Sequence, residues 1–488
     1  MRFASQIALV LMGQGINTLV GLLFLPYLAR AMDKSVYGTY GQTLMVTDLF
    51  KIIFALGLVN IITVHLAKYP NKHKSVLGSN LLLGLFGGLL AVITLWFCAP
   101  PIATWFKNPT LAPYLQLYLW SILLTIVFDI FNATLIYFGK VKQSVFILVS
   151  SNLIRVLLVV LAVQLYDSLY LVFWGMLVAS IIQVTMGYFF LPIKKWTANF
   201  TDIKEQIQDG IPLGLSNTAA ILANIVDGFM VSIFLGTTAY ATYRNGVFPL
   251  PFLGSIYQSI ALVMMPALAT MFFRKEFKQI ILLKRRIITQ AAALTYPIVV
   301  FLLVFHKPII VTYLSEKYAA SAFVFFIYNI ALFWRINYYQ DIALIAQKTR
   351  FIFLSFLLSF TVNIGLNFIL IPKLGIIGAA LSTLVMAVVI CSLLFSKTIS
   401  ILNSSFSELV DWKNILKIAA APLLFMPFLW LIHSYSPNII LLGILGGISI
   451  LLCYFWYLKK DLLEQEVAFH FIKKIPIVGN HLISLLKH

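Results

Sequence analysis

Charged residues are scarce in this chain, and acidic ones most of all. The 488 residues include 35 Lys and Arg but only 16 Asp and Glu. Charged residues make up 10% of the sequence, where a soluble domain carries about a quarter. The three cysteines form no CxxC pair or Cys/His cluster, so we expect neither zinc nor a disulfide framework. No loop holds paired carboxylates, a Ser/His/Asp set or a phosphate-binding glycine run, so we predict no catalytic residues and no metal site.

Apolar segments fill the space that charges leave. The chain is 61% hydrophobic with a mean hydropathy of +0.96, and a membrane-spanning helix needs roughly 20 apolar residues. The pattern predicts an all-α polytopic membrane protein with about 14 transmembrane helices. The predicted spans are 5–29, 40–64, 77–99, 114–138, 144–165, 169–192, 210–235, 243–270, 288–306, 320–346, 350–371, 375–396, 415–433 and 437–457.

Basic residues alternate between the loops. We count 25 of the 35 in every second loop, at its edges, or in the two tails. This bias predicts a multi-pass protein of a bacterial cytoplasmic membrane with both termini in the cytoplasm. The net charge of +19 is then explained by topology and anionic lipid headgroups, and we expect no nucleic-acid partner. The longest basic stretch, Phe272 to Arg286, is predicted to lie along the membrane surface as an amphipathic segment.

A weak internal repeat divides the chain. Tyr37-Gly38-Thr39-Tyr40 follows span one, and Tyr240-Ala241-Thr242-Tyr243 follows span seven. Six spans separate the two motifs, so the halves would be parallel repeats, which is a transporter plan. We predict an N-terminal lobe at 1–200 (spans one to six), a C-terminal lobe at 201–400 (spans seven to twelve), spans thirteen and fourteen at 401–458 and a cytoplasmic tail at 459–488.

A few charges lie inside the spans or at their ends. A charge at mid-bilayer costs at least about 2.5 kcal/mol, so such residues usually face a cavity or a partner. Arg335 has no acid three or four positions away on its own helix, which makes it the best single candidate for contact with an anionic substrate. Arg30 and Arg244 lie near helix ends, where capping or snorkelling are alternative roles. The basic candidates are Arg30, Lys51, Arg155, Arg244 and Arg335.

The acidic candidates suggest local pairing or ion coupling. Asp48 and Lys51 are three residues apart and could form an ion pair. Asp227 shares a helix face with Asn224 and Asn217, and its carboxylate could bind a cation or carry a proton. We expect no cofactor, with coupling to H⁺ or Na⁺ left open. The candidates for ion coupling or for cavity acids are Asp48, Asp129, Asp227 and Asp341.

Short motifs resemble a known family. Gly13-Gln14-Gly15, Pro26-Tyr27-Leu28-Ala29-Arg30 and Tyr37-Gly38-Thr39-Tyr40 resemble the opening of Wzx-type polysaccharide flippases, within the superfamily that includes MATE exporters and the lipid II flippase MurJ. Leu314-Ser315-Glu316-Lys317-Tyr318 and the segment from Asn363 to Ala380 extend the resemblance through span twelve.

The resemblance implies a fold and a cargo. Two six-helix lobes would surround a central cavity, and two further C-terminal helices would follow. The cargo would be a polyprenyl-pyrophosphate-linked oligosaccharide of the O-antigen or teichuronic-acid kind, carried outward for cell-surface polysaccharide assembly with other assembly proteins as possible partners. The five basic candidates would line or rim the cavity, and aromatic residues including Trp334 and Tyr338 could contact sugars.

Two other functions stay open. An ion-coupled MATE-type exporter of small molecules would favour a cavity dominated by carboxylates, whereas the basic candidates here slightly outnumber the acidic ones. A membrane enzyme of glycan assembly commonly needs a sizeable outer loop, and the predicted outer loops are short.

Overall fold

The computed structural model describes residues 2–55, 57–248, 264–335, 339–436 and 438–464, and these residues form helices joined by short turns, without a strand. Contacts divide the chain into two compact units, Met1–Arg244 and Asn245–His488. The helices of the first unit, the last of which crosses the boundary, are α1 (Arg2–Ala31), α2 (Lys34–Ala55), α3 (Leu58–Lys68), α4 (His73–Trp105), α5 (Leu111–Tyr118), α6 (Trp120–Tyr137), α7 (Val141–Tyr166), α8 (Leu169–Phe190), α9 (Phe200–Leu235) and α10 (Thr237–Gly246).

The second unit contains the remaining helices. They are α11 (Met264–Phe273), α12 (Phe277–Val304), α13 (His306–Tyr313), α14 (Ser321–Ile330), α15 (Asp341–Ile345), α16 (Thr349–Leu374), α17 (Ile376–Leu402), α18 (Phe406–Leu409), α19 (Trp412–Ala420), α20 (Met426–Tyr435) and α21 (Ile439–Lys459). A core of buried aliphatic and aromatic side chains joins α12 to α17, α19 and α21.

The predicted fold class is confirmed. Eleven helices of the described residues are long and apolar enough to cross a membrane, and shorter apolar helices occur at predicted spans seven, eight and ten. The predicted count of 14 is approximate. Large apolar side chains such as Phe86, Phe97 and Leu424 remain 68%, 73% and 81% exposed. Exposed apolar surface on this scale suits lipid rather than water, and the chain is a multi-pass membrane protein.

Predicted spans two and ten are interrupted in the structure. Span two divides into α2 and α3 around Gly57, whose φ of +73° is left-handed and costs glycine little. A Cβ at Gly57 would lie 2.9 Å from backbone atoms of Gly210 and Gly214 in α9, so the break also admits a close helix approach. Span ten contains α14 and a 3₁₀ turn that ends at Phe333, and the next described helix of this span, α15, begins at Asp341.

The basic stretch before span nine is helical from its middle onward. Helix α12 begins at Phe277 and continues without a break to Val304. The prediction of a separate surface segment up to Arg286 is therefore wrong for residues 277–286. Ile280, Lys284, Ile288 and Ala291 share one face at helical spacing and are buried. The apolar face of the spanning helix thus extends back into the basic run.

Candidate functional site

Charged residues from four helices meet inside the first unit. Helix α2 contributes Asp48 and Lys51, α6 contributes Asp129, α7 contributes Arg155 and α10 contributes Arg244. Three of the five predicted bases and two of the four predicted acids therefore share one region, which we call the cation cluster. Lys51, Asp129 and Arg155 all lie near the middle of their spans, where a charge needs a partner or water.

Lys51 pairs across helices rather than along its own. Its Nζ lies 2.7 Å from Asp129 Oδ2, and the two side chains are 29% and 30% exposed. Among the described residues Asp48 forms no ion pair, so the proposed Asp48–Lys51 pair is absent from this structure. Its exposed carboxylate lies within electrostatic range of Lys51, Arg155 and Arg244. The Lys51 ammonium instead forms its ion pair with Asp129 on α6.

Arg155 retains an unused hydrogen-bond donor. Asn152, three residues before Arg155 on α7, donates from its Nδ2 to Asn17 Oδ1 of α1 at 3.1 Å. Arg155 is half-buried, and its Nε has no hydrogen-bond partner among the described residues. It lies within electrostatic range of Tyr40 and Tyr118. A buried guanidinium N–H without a partner costs free energy that a bound anion would recover.

Arg244 lies against aromatic rings at the start of α2. Its guanidinium carbon is 5.8 Å from the centroid of the Tyr37 ring and 5.7 Å from that of Tyr40, within the range of a cation–π interaction. Its Nη1 is buried and has no hydrogen-bond partner in the described part of the chain. A Cβ at Gly41 would lie 2.5 Å from that Nη1, so the guanidinium needs a glycine at this position.

The segments that carry the two copies of the sequence repeat contact each other beside Arg244. The Tyr240 hydroxyl donates to the Gly41 carbonyl at 3.2 Å, and Thr237 Oγ1 donates to Gln42 Oε1 at 3.3 Å. A Cβ at Gly38 would lie 2.4 Å from the Thr237 carbonyl oxygen, so the backbones approach closely. The motifs found as a repeat are therefore packing partners that fix Arg244 next to α2.

Two further candidates of the first unit lie on other elements. Arg30 is exposed in the last turn of α1, where a cation complements the helix dipole. Asp227 is buried on α9 and accepts a hydrogen bond from the Tyr243 hydroxyl at 3.3 Å. The side chains of Asn217 and Asn224, predicted to share its face, lie outside the described residues.

The other two candidates belong to the second unit. Arg335 follows the 3₁₀ turn in the interruption of span ten, is half-buried and lies within electrostatic range of Cys391. Asp341 begins α15, and its Oδ2 lies 2.6 Å from Lys284 Nζ, with side chains 7% and 1% exposed. The sequence analysis placed Lys284 in an amphipathic segment at the membrane surface and missed this pair. The helical spacing of Lys284 with Ile280 and Ile288 would have indicated its burial.

An aromatic cavity adjoins the interruption of span ten. Its volume is about 320 Å³, and Trp334, Tyr339, Phe395, Phe406 and Trp412 line it. Phe406 and Trp412 stack with ring centroids 5.3 Å apart. Trp334, one of the two aromatics that the resemblance implicated in sugar contact, therefore borders a cavity. Tyr338, the other, lies outside the described residues.

The cation cluster has the chemistry of an anion site. Its three bases exceed its two acids, and two guanidinium groups present unused donors beside tyrosine rings. Guanidinium binds phosphate or carboxylate oxygens through paired hydrogen bonds. No group of three or more His, Cys, Asp or Glu that could hold a metal ion occurs in the described ranges.

A family comparison matches the part of the chain that holds this cluster. The family described as "Polysaccharide biosynthesis protein" matches residues 3–272, more than half of the chain. The chain belongs to the polysaccharide biosynthesis protein family. No curated protein sequence matches it significantly. The resemblance noted from short motifs is thus confirmed for the family.

Solved structures show which fold this polysaccharide biosynthesis protein has. It is similar to the lipid II flippase MurJ in an inward-closed conformation, with a TM-score of 0.74 and 17% identity over 93% of this chain and 100% of that one. An inward-facing MATE family multidrug transporter of the MOP superfamily gives a TM-score of 0.62 and 13% identity, over 79% and 95% of the two chains. A MOP superfamily transporter from Pyrococcus furiosus gives 0.53 and 14%, over 83% and 96%. The fold is that of MurJ and MATE transporters.

Proposed function

We propose that this protein is a flippase for a polyprenyl-pyrophosphate-linked oligosaccharide. It would carry the sugar–pyrophosphate head from the cytoplasmic to the outer leaflet of a bacterial cytoplasmic membrane, with both termini in the cytoplasm, for cell-surface polysaccharide such as O-antigen. The observation that carries the proposal is the cation cluster, in which Arg155 and Arg244 keep buried donors without partners. The family and the transporter fold agree with it.

Pyrophosphate suits the cluster in charge and in geometry. It presents several oxygens and more than one negative charge, which two guanidinium groups and an ammonium can share. Asp129 would compete with the cargo for Lys51, since it already holds the Lys51 Nζ at 2.7 Å. In the empty site Asp129 neutralises Lys51, and on binding a phosphate oxygen would replace the Asp129 carboxylate. Release outside would restore the Lys51–Asp129 pair.

Transport would proceed by alternating access. The lipid tail would stay in the bilayer while rearrangement of the predicted lobes exposes the head on the other side. Ion coupling would use H⁺ or Na⁺ at one of the acids Asp48, Asp129, Asp227 and Asp341. Arg30 and Arg335 would contact the cargo at other stages of its passage.

A MATE-type exporter of small cations is the second candidate. The similarity in fold to a MATE transporter favours it, but the excess of bases in the cation cluster would repel a cationic drug. A membrane enzyme of glycan assembly has less support, because the similar solved structures are those of a flippase and of a transporter.

Cellular accumulation of cargo tests the proposal. Cells carrying Arg244→Ala should accumulate lipid-linked oligosaccharide on the cytoplasmic face, while Arg244→Lys should restore export in part because it keeps the charge but loses the paired donors. Asp129→Asn should bind cargo tighter by about tenfold, since a charge-assisted hydrogen bond is worth about 1.5–3 kcal/mol. Arg286→Ala, in an exposed pair with Glu464, is the matched control. Normal export in Arg244→Ala cells would refute the assignment.

A further inference from the structure

The first turns of α9 carry an acidic and polar face whose hydrogen-bond partners among the described residues lie in the first unit. Asp202, Glu205, Gln206 and Asp209 follow one another at i, i+3, i+4 and i+7, so they share one side of the helix. The side chains of α3 and α4 lie opposite them. In the predicted topology this is the cytoplasmic end of spans two, three and seven.

Each member of this face has its own partner. The Ser75 hydroxyl donates to Asp202, and the Tyr69 hydroxyl donates to Glu205 Oε2 at 2.6 Å. Asn80 Nδ2 donates to Gln206 Oε1 at 2.9 Å, and Gln206 Nε2 returns a bond to the Val76 carbonyl at 3.0 Å. His65 Nε2 lies 2.9 Å from Asp209 Oδ2. We call this set the cytoplasmic clasp; its members are His65, Tyr69, Ser75 and Asn80 of α3 and α4 with Asp202, Glu205, Gln206 and Asp209 of α9.

His65 differs from the other members because imidazole gains and loses a proton between about pH 5 and pH 8. Its side chain is 1% exposed, whereas Asp209 is 53% exposed and open to water. A neutral imidazole that donates from Nε2 already forms a charge-assisted hydrogen bond with the Asp209 carboxylate. Protonation adds a full positive charge to the same contact and turns it into an ion pair.

The other charged groups near His65 do not duplicate this contact. At the end of α3, Lys68 Nζ lies 3.9 Å from Glu205 Oε2, and the Tyr69 ring meets the His65 imidazole edge-on. On α9, Asp202 and Glu205 are engaged by Ser75 and Tyr69. From α4 and α6, His73 Nε2 and the Tyr137 hydroxyl both approach the Leu66 carbonyl, at 3.1 and 2.9 Å.

We propose that His65 and Asp209 form a proton-binding site that locks the cytoplasmic end of span seven onto spans two and three. Proton uptake by the imidazole creates the imidazolium–carboxylate pair and tightens the clasp. Proton loss to water leaves a hydrogen bond between a neutral imidazole and the carboxylate, which opens more readily than the ion pair. Gly57, at the break between α2 and α3, lies against Gly210 and Gly214 of α9 and lets the two backbones close together.

The consequence for transport rests on the proposed function. A closed clasp would hold the cytoplasmic end of span seven on spans two and three and would restrict entry of cargo from that side. Cargo uptake would then increase as cytoplasmic pH rises, because the deprotonated clasp opens more readily.

Hydrogen–deuterium exchange of the purified full-length protein tests the site without any cargo. After correction for the intrinsic pH dependence of exchange, amides of 200–210 and 58–68 should lose on the order of tenfold protection between about pH 5.5 and about pH 8. His65→Gln and Asp209→Asn keep a hydrogen bond but remove the titrating pair, and both should give a flat profile. His73→Gln, a neighbouring histidine bonded to a carbonyl, should keep the wild-type profile.

Two results would overturn the proposal. The first is amide protection of the wild-type clasp that does not change with pH. The second is a pH response that survives in Asp209→Asn. The Asp209→Asn result tests the proposal even if His65→Gln fails to fold. Failure of the proposed function is a separate outcome, because a pH-dependent clasp in a protein that exports no oligosaccharide would leave the proton site standing.

Discussion

Replacing Lys284 by Met removes the cation of a buried ion pair and leaves Asp341 without its counter-charge. The Nζ–Oδ2 distance is 2.6 Å, and the side chains are 1% and 7% exposed, so water cannot solvate the remaining carboxylate. Breaking one side of a buried pair costs about 3–5 kcal/mol. Against a total stability of about 5–15 kcal/mol this is a large loss. At about 2.1 cal/mol/K per residue, the unfolding entropy of 488 residues is about 1 kcal/mol/K, so the unfolding temperature should fall by about 3–5 °C.

The double variant separates pairing from packing. Lys284→Met with Asp341→Leu removes both charges, and exchange of a buried pair for apolar side chains is often neutral or stabilising. Thermal unfolding of the detergent-purified proteins should therefore show two destabilised single variants and a double variant near wild type. Arg286→Met, which breaks an exposed pair with Glu464, should cost no more than about 1 kcal/mol. Additive losses in the double variant would refute the reasoning.

Further predictions concern the cation cluster and a cytoplasmic cap. Gly41→Ala should displace the Arg244 guanidinium, because the new Cβ would lie 2.5 Å from its Nη1. We expect this variant to lower oligosaccharide export while the unfolding temperature changes little. Gly15→Ala is the control: a Cβ there would meet nothing within 4 Å, so export should stay intact. Partial burial raises the pKa of Asp411, but hydrogen bonds from Asn414 and the Arg285 guanidinium outweigh it and hold that pKa below its ordinary value. The stabilisation that Asp411 provides should be complete at neutral pH and vanish as pH falls through the lowered pKa, so wild type and Asp411→Asn should differ in unfolding temperature at pH 7 and converge in acid.

Much of the fold could be predicted because the bilayer constrains it strongly. Hydropathy located the apolar segments, and their described parts correspond to helices or interrupted helices; residues 249–263 of span eight lie outside the described residues. The cost of a charge at mid-membrane singled out Lys51 and Arg155, which the structure brings together with Arg244. These inferences need only the identity of a residue and its depth along a span, which a sequence contains.

Pairing across helices could not be predicted in the same way. The sequence suggested Asp48 for Lys51, because only neighbours on one helix can be identified from spacing, and the structure supplies Asp129 from α6. Lys284 was missed because three adjacent basic residues indicate a segment at the membrane surface, although helical spacing from Ile280 puts Lys284 alone of the three on the apolar face. The interruption of span ten at Trp334 has no glycine or proline to indicate it.

Binding of polyprenyl pyrophosphate to the purified protein tests the central claim most directly, namely that the cation cluster holds an anionic lipid-linked head. Wild type should bind the pyrophosphate and discriminate against the corresponding uncharged polyprenol, and Arg244→Ala should lose about tenfold or more in affinity, as expected for a lost charge-assisted bond. Equal affinity for pyrophosphate and polyprenol, or an unchanged affinity in Arg244→Ala, would contradict it.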